Sequence, residues 1–421
     1  MCGIVGIVDL RGRRAIDRGL LDRMNESQRH RGPVEGGLHT EPGVGFGHRR
    51  LSIIDLASGQ QPLFNEDGSV VVVFNGEIYN FRELMEELLQ PGHQFRTRCD
   101  TEVIVHAWEQ WGEACVTRLR GMFAFAIWDR NHGTLFLARD RLGIKPLHCA
   151  YLPDGMFLFG SELKALLAHP DFARELDPCA VEDYFAYGYV PEPRTIFKGA
   201  FKLMPGHTLA LMTGGRNRQQ KPYWDLPFTP HGPLTEQEAQ EELQRRLDEA
   251  VKSHLEADVP LGAFLSGGVD SSAVVASMAG MGSEPVNTCS IAFDDPTFDE
   301  SRYASQVAEQ YGTRHYSETV NKDDYGLLDT LAALYDEPYA DSSAIPTYRV
   351  CELARKRVTV ALSGDGGDEN FAGYRRYRLA MAEQRVRSML PLAVRKPVLG
   401  LLGQVYPKAD YLPQFLRAKA T

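Results

Sequence analysis

Leu265-Ser266-Gly267-Gly268-Val269-Asp270-Ser271-Ser272 is the stretch on which the reading of this 421-residue chain turns. Before it, residues 259–265 form an apolar run bounded by Pro260 and interrupted by Gly262, as in a buried strand. After it, residues 272–278 are small and apolar, as in a helix packed on a sheet. A strand that turns through two glycines into a helix start leaves a row of backbone N–H groups free. Such a nest takes phosphate, because the helix N-terminus adds partial positive charge and glycine permits close approach. No Gly-Lys-Ser/Thr follows at the spacing of a Walker loop. Asp270 stands where a carboxylate could hold Mg2+ against the same phosphates. Ser-Gly-Gly also makes a plain tight turn, so a second signal is needed. It comes at 358–362, a short apolar strand running into Ser363-Gly364-Asp365-Gly366-Gly367-Asp368-Glu369. Two strands ending in Ser-Gly loops, one loop carrying three acids, suggest one crevice at the carboxyl edge of a parallel sheet, where open α/β sheets bind ligands.

Outward from these loops the chain alternates. A strand over 286–293, a helix over 300–311, a strand over 314–320 and a helix near 323–335 follow, the pattern of a doubly wound parallel sheet. Upstream, Thr235-Glu236-Gln237-Glu238 is a capping box opening a charged helix that runs to about Leu255. Residues 213–233 are rich in Gly, Pro, Asn and Gln with little periodicity, which places a linker over 214–234 between a first domain, 2–213, and a second, 235–421.

The first domain opens on the apolar strand Met1-Cys2-Gly3-Ile4-Val5-Gly6-Ile7-Val8. A small second residue normally allows removal of the initiator Met, leaving a thiol and an α-amine of pKa near ~8 on one residue. The amine can then take the thiol proton, so nucleophile and base come together. A buried structural cysteine is the plainer alternative. The β-prone run 70–74 leads to Asn75-Gly76-Glu77-Ile78-Tyr79-Asn80, where Asn-Gly by itself would mark a turn. Gly45-Phe46-Gly47-His48-Arg49-Arg50-Leu51-Ser52-Ile53-Ile54-Asp55 is a glycine-marked strand carrying cations, and Arg98-Cys99-Asp100-Thr101-Glu102 sets acids ahead of a helix over 101–111. Taken singly these charges read as solvated surface. Together, an anion site at Arg50, a cation site at Asp100 and Glu77, and an amide-rich turn at Asn75 and Gly76 are what a free amino acid requires. Residues 123–128, 134–138 and 156–159 read as core strands. The other six cysteines read as structural, Met204, Met212, Met278 and Met281 as core, and His48, His106 and His148 as packing or surface residues rather than ligands.

With 43% hydrophobic and 24% charged residues the chain is that of a globular protein. A net charge of -10 argues against a nucleic-acid grip, and no apolar run is long enough to span a bilayer. Seven scattered cysteines fit a reducing cytoplasm.

On these motifs the chain resembles the glutamine-hydrolysing asparagine synthetases, whose second half belongs with the pyrophosphate-loop synthetases. The resemblance implies an α+β glutaminase domain of the N-terminal-nucleophile (αββα) type, then an α/β ATP-binding domain with a doubly wound sheet. Cys2 would attack the glutamine side-chain amide, with Asn75 and the Gly76 N–H as oxyanion hole. Arg50 would hold the substrate carboxylate beside the Ile53 and Ile54 backbone, and Asp100 and Glu77 its ammonium. Leu265, Ser266, Gly267, Gly268, Asp270, Ser271, Ile291, Ser363 and Gly364 would bind ATP, Asp270 also Mg2+, and Asp365 would sit beside an acyl-adenylate. His30-Arg31-Gly32-Pro33 fits the family, but Val34 stands where an Asp usually follows. Asp341-Ser342-Ser343 resembles the acceptor-side stretch.

The implied reaction is ATP-dependent amidation of a carboxylate, aspartate first among candidates, by ammonia released at Cys2 and passed internally, in a possible homodimer. Two alternatives stay open. Tyr184-Phe185-Ala186-Tyr187-Gly188-Tyr189-Val190-Pro191-Glu192-Pro193 resembles paralogues of exosortase and exopolysaccharide systems, which would amidate another carboxylate. A regulatory paralogue would bind nucleotide without making product; an intact Cys2 and both Ser-Gly loops argue against it. Family members usually run on for roughly another hundred residues. Lys408 and Lys419 lie too near the Ser363 loop to match the family's adenylate lysine, so the expectation is an intact glutaminase site and an open synthetase site in a fragment.

Overall fold

A run of β-branched residues at 70–73 fixes the middle of the first half. In the computed structural model, which describes residues 1–405 apart from 13, 216–218, 229–231, 233, 296, 298, 321–324 and 390, it begins a nine-residue strand. The strands of this half are β1 (Gly3–Asp9), β2 (Glu35–Glu41), β3 (Val44–Arg50), β4 (Leu63–Phe64), β5 (Val70–Ile78), β6 (Gly121–Asp129), β7 (Thr134–Arg139), β8 (His148–Tyr151), β9 (Met156–Gly160), β10 (Ala200–Lys202), β11 (His207–Met212) and β12 (Lys221–Pro222). They make two six-stranded antiparallel sheets, ordered β10-β8-β9-β1-β3-β2 and β12-β11-β7-β6-β5-β4.

Side-chain alternation decides what each face meets. On β5, Val70, Val72, Phe74 and Ile78 pack under the helices Phe81–Leu89 and Asp100–Trp111, while Val71 and Val73 point at the other sheet. There they meet Ile4 and Val8 of β1 and Val44 and Phe46 of β3. The opposite face of β1, Val5 and Ile7, is covered by the helices Arg18–Glu26 and Leu163–Leu167. The result is helix, sheet, sheet, helix, the expected αββα architecture. Each fully buried Val or Ile in these layers contributes about 1.5–3 kcal/mol.

The segment read as linker stays bound to the first half for some way. Lys221–Pro222 pairs with β11, Tyr223 N donates to Gly206 O at 2.8 Å, and Tyr223 Oη donates to Arg139 O at 2.8 Å. Parts of that segment, including 216–218 and 229–231, lie outside the described residues. The capping box then forms as read: Thr235 and Glu238 bond reciprocally at the start of the helix Glu236–His254.

The second half is a parallel sheet of β13 (Leu261–Phe264), β14 (Asn287–Phe293), β15 (Arg314–Val320) and β16 (Val360–Leu362), ordered β15-β14-β13-β16. Sequence order runs one way from β13 through β15 and then crosses to β16, so the switch point lies between β13 and β16. The helix read near 323–335 is shorter, Leu328–Leu334 after a 3₁₀ turn at Tyr325–Leu327; residues 321–324 are outside the described set. Several residues read as packing or core are exposed: Met212 at 59% and Met281 at 39%, each the last residue of its element, Cys179 in the first turn of a helix, and Cys351 on the outer side of the helix Ala344–Arg355. Among the described residues no helix is long and apolar enough to cross a membrane.

Candidate active sites

The inter-sheet core of the first half turns polar at one end, and it does so along three strands at once. On β3 the inward row runs Val44, Phe46, His48, Arg50; on β5 it runs Val71, Val73, Asn75, Glu77. On β1 it runs Val8, Gly6, Ile4, with Cys2 next. Register pairs Gly3 with Arg49 and Ile4 with His48, so one step further brings Cys2 opposite Arg50. Five residues picked from distant parts of the sequence, Cys2, Arg50, Asn75, Glu77 and Asp100, thus converge on one buried end of the sandwich.

Cys2 Sγ donates to Leu51 O at 3.7 Å, and the Cys2 carbonyl accepts from Arg31 Nε at 2.8 Å. Burial pushes the thiol above its ordinary pKa, while the chain's terminal ammonium pulls it back. Arg31 continues to Glu162, 2.9 Å away, which also bonds His30. Burial alone would raise the Glu162 carboxyl; the His30 hydrogen bond and the Arg31 charge outweigh it and hold the group at about 2. Glu162 is therefore an anion that fixes Arg31 and, through it, the backbone of Cys2.

Asn75 is 1% exposed, yet neither its Oδ1 nor its Nδ2 has a partner among the described residues. A buried amide left so costs about 1–3 kcal/mol, a cost that a ligand can relieve. The expected Asn75-Gly76 turn is corrected here. Both residues lie inside β5, paired with Ala124 and Phe123 of β6, and a Cβ on Gly76 would run into the Met122 carbonyl. The neighbour strand, not turn geometry, requires the glycine.

Arg50 is buried, with Nη1 on Glu35 at 2.7 Å and Nη2 on the carbonyls of Asp55 (2.6 Å) and Ile54 (3.2 Å). Ile53 O accepts from Asp258 N at 2.9 Å, so both carbonyls of the Ile53–Ile54 pair already have protein partners. Val34, in place of the family's usual acid, is 57% exposed and bonds Arg50 O only through its N–H at 3.2 Å.

Asp100 opens the helix Asp100–Trp111 and accepts from Ile78 N at 2.9 Å. Burial, with the Glu77 carboxylate nearby, lifts it to about 7 against the hydrogen bond. Burial likewise raises Glu77. Two carboxyls that resist ionising side by side are stabilised as anions by a cation placed between them. Lys145, which the sequence reading missed, stands buried opposite Glu77. Burial pushes its ammonium down and Glu77 pulls it back up. No local signal marks it, because its partner is 68 positions away in the sequence.

In the second half both Ser-Gly loops leave adjacent strands at the switch point. Ser266 Oγ lies 3.0 Å from Ser271 Oγ and accepts from Gly268 N at 3.2 Å, curling the loop into the start of the helix Val269–Met281. Gly267 has φ +82°, and a Cβ there would meet Ala304 N at 2.6 Å. The loops touch at Asp270. A Cβ on Gly364 would lie 2.6 Å from Ser271 N, and one on Gly367 would lie 2.7 Å from Asp270 Oδ1. Leu265 N donates to Cys289 O at 2.9 Å, which sets Ile291 two residues further along β14, half-buried. Asp365 is exposed, its carboxylate held by Ser363 Oγ at 3.0 Å. Asp341 accepts from Ser343 N at 2.8 Å, and its neighbour Ala340 N donates to Gly188 O of the first half at 2.8 Å. Lys408 and Lys419 lie outside the described residues.

The halves meet along several polar contacts. Asp55 N donates to Asp258 Oδ2 at 2.8 Å, Lys202 pairs with Glu337 at 2.6 Å, and the Tyr79 ring lies 4.2 Å from that of His254. Tyr79 Oη is buried with no partner among the described residues.

Comparison with known proteins assigns both halves. Residues 1–224 match the family model of the glutamine amidotransferase domain, and residues 242–421 that of asparagine synthase. The glutamine-hydrolysing asparagine synthetase 1 of Bacillus subtilis is 37% identical over the whole chain, which spans 65% of that relative's length. Asparagine synthetase 3 of the same organism is 34% identical over the whole chain and 70% of its own length. A relative from Methanocaldococcus jannaschii is 39% identical over 89% of the chain and 76% of its own length. By fold, by the convergence of both residue sets and by these similarities, the chain belongs to the glutamine-hydrolysing asparagine synthetase family.

Proposed function

We propose that the first half hydrolyses glutamine at Cys2 and that the whole protein uses the released ammonia to make asparagine from aspartate, with ATP cleaved to AMP and pyrophosphate. The observation that carries the reading is the unpartnered Asn75 amide, buried at the polar end of the same inter-sheet layer as Cys2.

With Met1 removed, the Cys2 amine takes the thiol proton and the sulfur adds to the glutamine carboxamide. The oxyanion that develops faces Asn75 Nδ2, with the Gly76 N–H as second donor; one such donor is worth about 10²–10³ in rate. Arg50 holds the α-carboxylate, exchanging its carbonyl contacts with the Ile53–Asp55 turn for the substrate. Asp100 and Glu77 take the ammonium, and the charge of that ammonium is what lets both ionise. Ammonia is transferred within the protein, a route supported by Tyr79 and His254 meeting across the junction beside Glu77 and Lys145.

In the second half the loop of Ser266, Gly267, Gly268 and Ser271 cradles the pyrophosphate end of ATP, with Ser363 and Gly364 closing the other wall and Leu265 and Ile291 flanking the base. The Asp270 carboxylate, between two glycines that leave it room, fits a hard cation held by oxygen donors. Mg2+ there would neutralise phosphate charge. Asp365 lies beside the carboxylate being activated. A cytoplasmic location is part of this reading and is supported by seven free thiols.

The direct test is steady-state glutaminase activity of the chain with mass spectrometry of its N-terminus. A processed Cys2 and glutamate release are expected. Retained Met1 with full glutamine hydrolysis would overturn the amine–thiol assignment.

A further inference from the structure

The helix that carries Asp100 at its start carries His106 and Glu109 further along, three residues apart on one face. Glu66, in the turn between β4 and β5, and His93, in the segment after the helix Phe81–Leu89, lie against them. One ligand atom from each of these four residues lies within 4.8 Å of every other. His106 Nδ1 is 3.3 Å from Glu109 Oε2 and 3.5 Å from Glu66 Oε2. His93 Nδ1 is 3.6 Å from Glu66 Oε1 and 3.8 Å from Glu109 Oε2. Charge-assisted N–H···O bonds close to about 2.7–2.9 Å, and none of these contacts does so. A tetrahedral ion with bonds of about 2.0–2.1 Å holds neighbouring donors roughly 3.3–3.4 Å apart, which is much nearer the observed spacing.

Polar groups around the cluster fix its carboxylates. His106 is fully buried; its Nε2 makes no hydrogen bond and faces the buried Glu102 carboxylate at 3.7 Å. Glu102 is itself fixed by the backbone N–H groups of Arg96 (2.8 Å) and Thr97 (2.7 Å). Asn65 Nδ2 donates to Glu109 Oε1 at 2.7 Å, leaving Glu109 Oε2 facing both histidines, and Gln94 N donates to Glu66 Oε1 at 2.8 Å, leaving Glu66 Oε2 toward His106. Such carboxylate and amide partners set the direction of ligand atoms.

We propose that Glu66, His93, His106 and Glu109 form a structural site for one divalent transition ion, two nitrogen and two carboxylate donors of the kind that suit Zn2+. Two carboxylates balance the ion's charge, and four protein donors close its coordination. The ion ties the helix Asp100–Trp111 to the two loops beside it, and so steadies the helix whose first residue bonds Ile78 N. None of the four residues belongs to either candidate active site.

The test uses the whole untagged chain, loaded with Zn2+, dialysed into metal-free buffer and assayed for metal by mass spectrometry, alongside thermal unfolding with and without Zn2+. About one zinc per chain and a rise in Tm of about 5 °C or more are expected. His93→Ala/Glu109→Gln, at two partly exposed positions, should retain no zinc and lose the shift while keeping the metal-free Tm. Should that variant not fold, His93→Gln alone carries the same expectation of lost retention. Wild-type protein that holds no zinc and shows no shift, or variants that hold as much as wild type, would overturn the site and leave an ion-paired histidine cluster.

Discussion

The two halves solve opposite problems of exposure. In the first, Arg50, Asn75, Glu77 and Asp100 are each below 10% exposed, enclosed by the sheets and the helix Asp100–Trp111. In the second, Ser266, Gly268 and Asp365 are exposed at the mouth of an open sheet, and Val269 is 85% exposed. A small neutral amide can be taken into a dry slot where each donor is worth more than in water. A nucleotide polyanion needs room, backbone N–H groups and a counter-ion, which an open crevice supplies. On the proposed function the contrast sets hydrolysis by preorganised burial against activation at an assembled surface, and it should break under mutation in a definite order.

The largest effect is expected for Cys2→Ala. Glutamine hydrolysis should fall by about 10⁴-fold or more, as when other covalent hydrolases lose their nucleophile. Mg-ATP binding, measured by calorimetry, should not change; glutaminase at the original rate would end the assignment. Next, Asn75→Ala should lower kcat for glutamine by about 10²–10³ with little change in KM. Because the amide makes no hydrogen bond among the described residues, Tm should hold steady or rise. A large loss of stability would instead make Asn75 a structural residue.

Asp270→Asn probes the open half. Mg-ATP affinity should weaken about tenfold or more through the lost carboxylate, with glutaminase untouched. An unchanged affinity would remove Asp270 from the metal's neighbourhood.

The pH dependence sharpens the burial argument. Asp100 is raised from 3.8 to about 7 by burial, so the folded state binds its proton more tightly than the unfolded chain does. Its contribution to stability is therefore largest below about pH 4 and declines as pH rises toward 7. On the proposed role, glutamine binding needs the ionised form and runs the other way. KM for glutamine should fall roughly tenfold between pH 6 and 8, and the slope should flatten in Asp100→Asn. A pH-independent KM in the parent protein would contradict the cation-pocket role. The smallest effect belongs to the junction. Arg82 pairs with Glu256 at 3.0 Å, but it is 71% exposed, so Arg82→Ala should cost under about 1 kcal/mol by denaturant unfolding.

Much of this was legible in the chain itself. The valine run at 70–73, the capping box at Thr235 and the alternation beyond Pro260 report local preference, and local preference survived folding. Ser266 to Ser271 and Ser363 to Asp365 were readable as loops because consecutive residues there make the turn with their own backbone. Cys2, Arg50, Asn75, Glu77 and Asp100 could be gathered by resemblance, though not by spacing.

Other features were decided only when distant strands came together. Asn75-Gly76 reads as a turn in isolation but became strand, because β6 supplied the hydrogen bonds a turn would have made within itself. Lys145 became a buried neighbour of Glu77, and Glu162 the anchor of Arg31, through contacts more than 60 positions long. His106, read as a packing or surface residue, and His93, which no local signal marks, share a cluster only because a helix and two loops converge. Sequence alone determined the elements and the loops that carry their own chemistry. Tertiary structure decided which buried charges face one another, since desolvation and pairing depend on neighbours in space rather than along the chain.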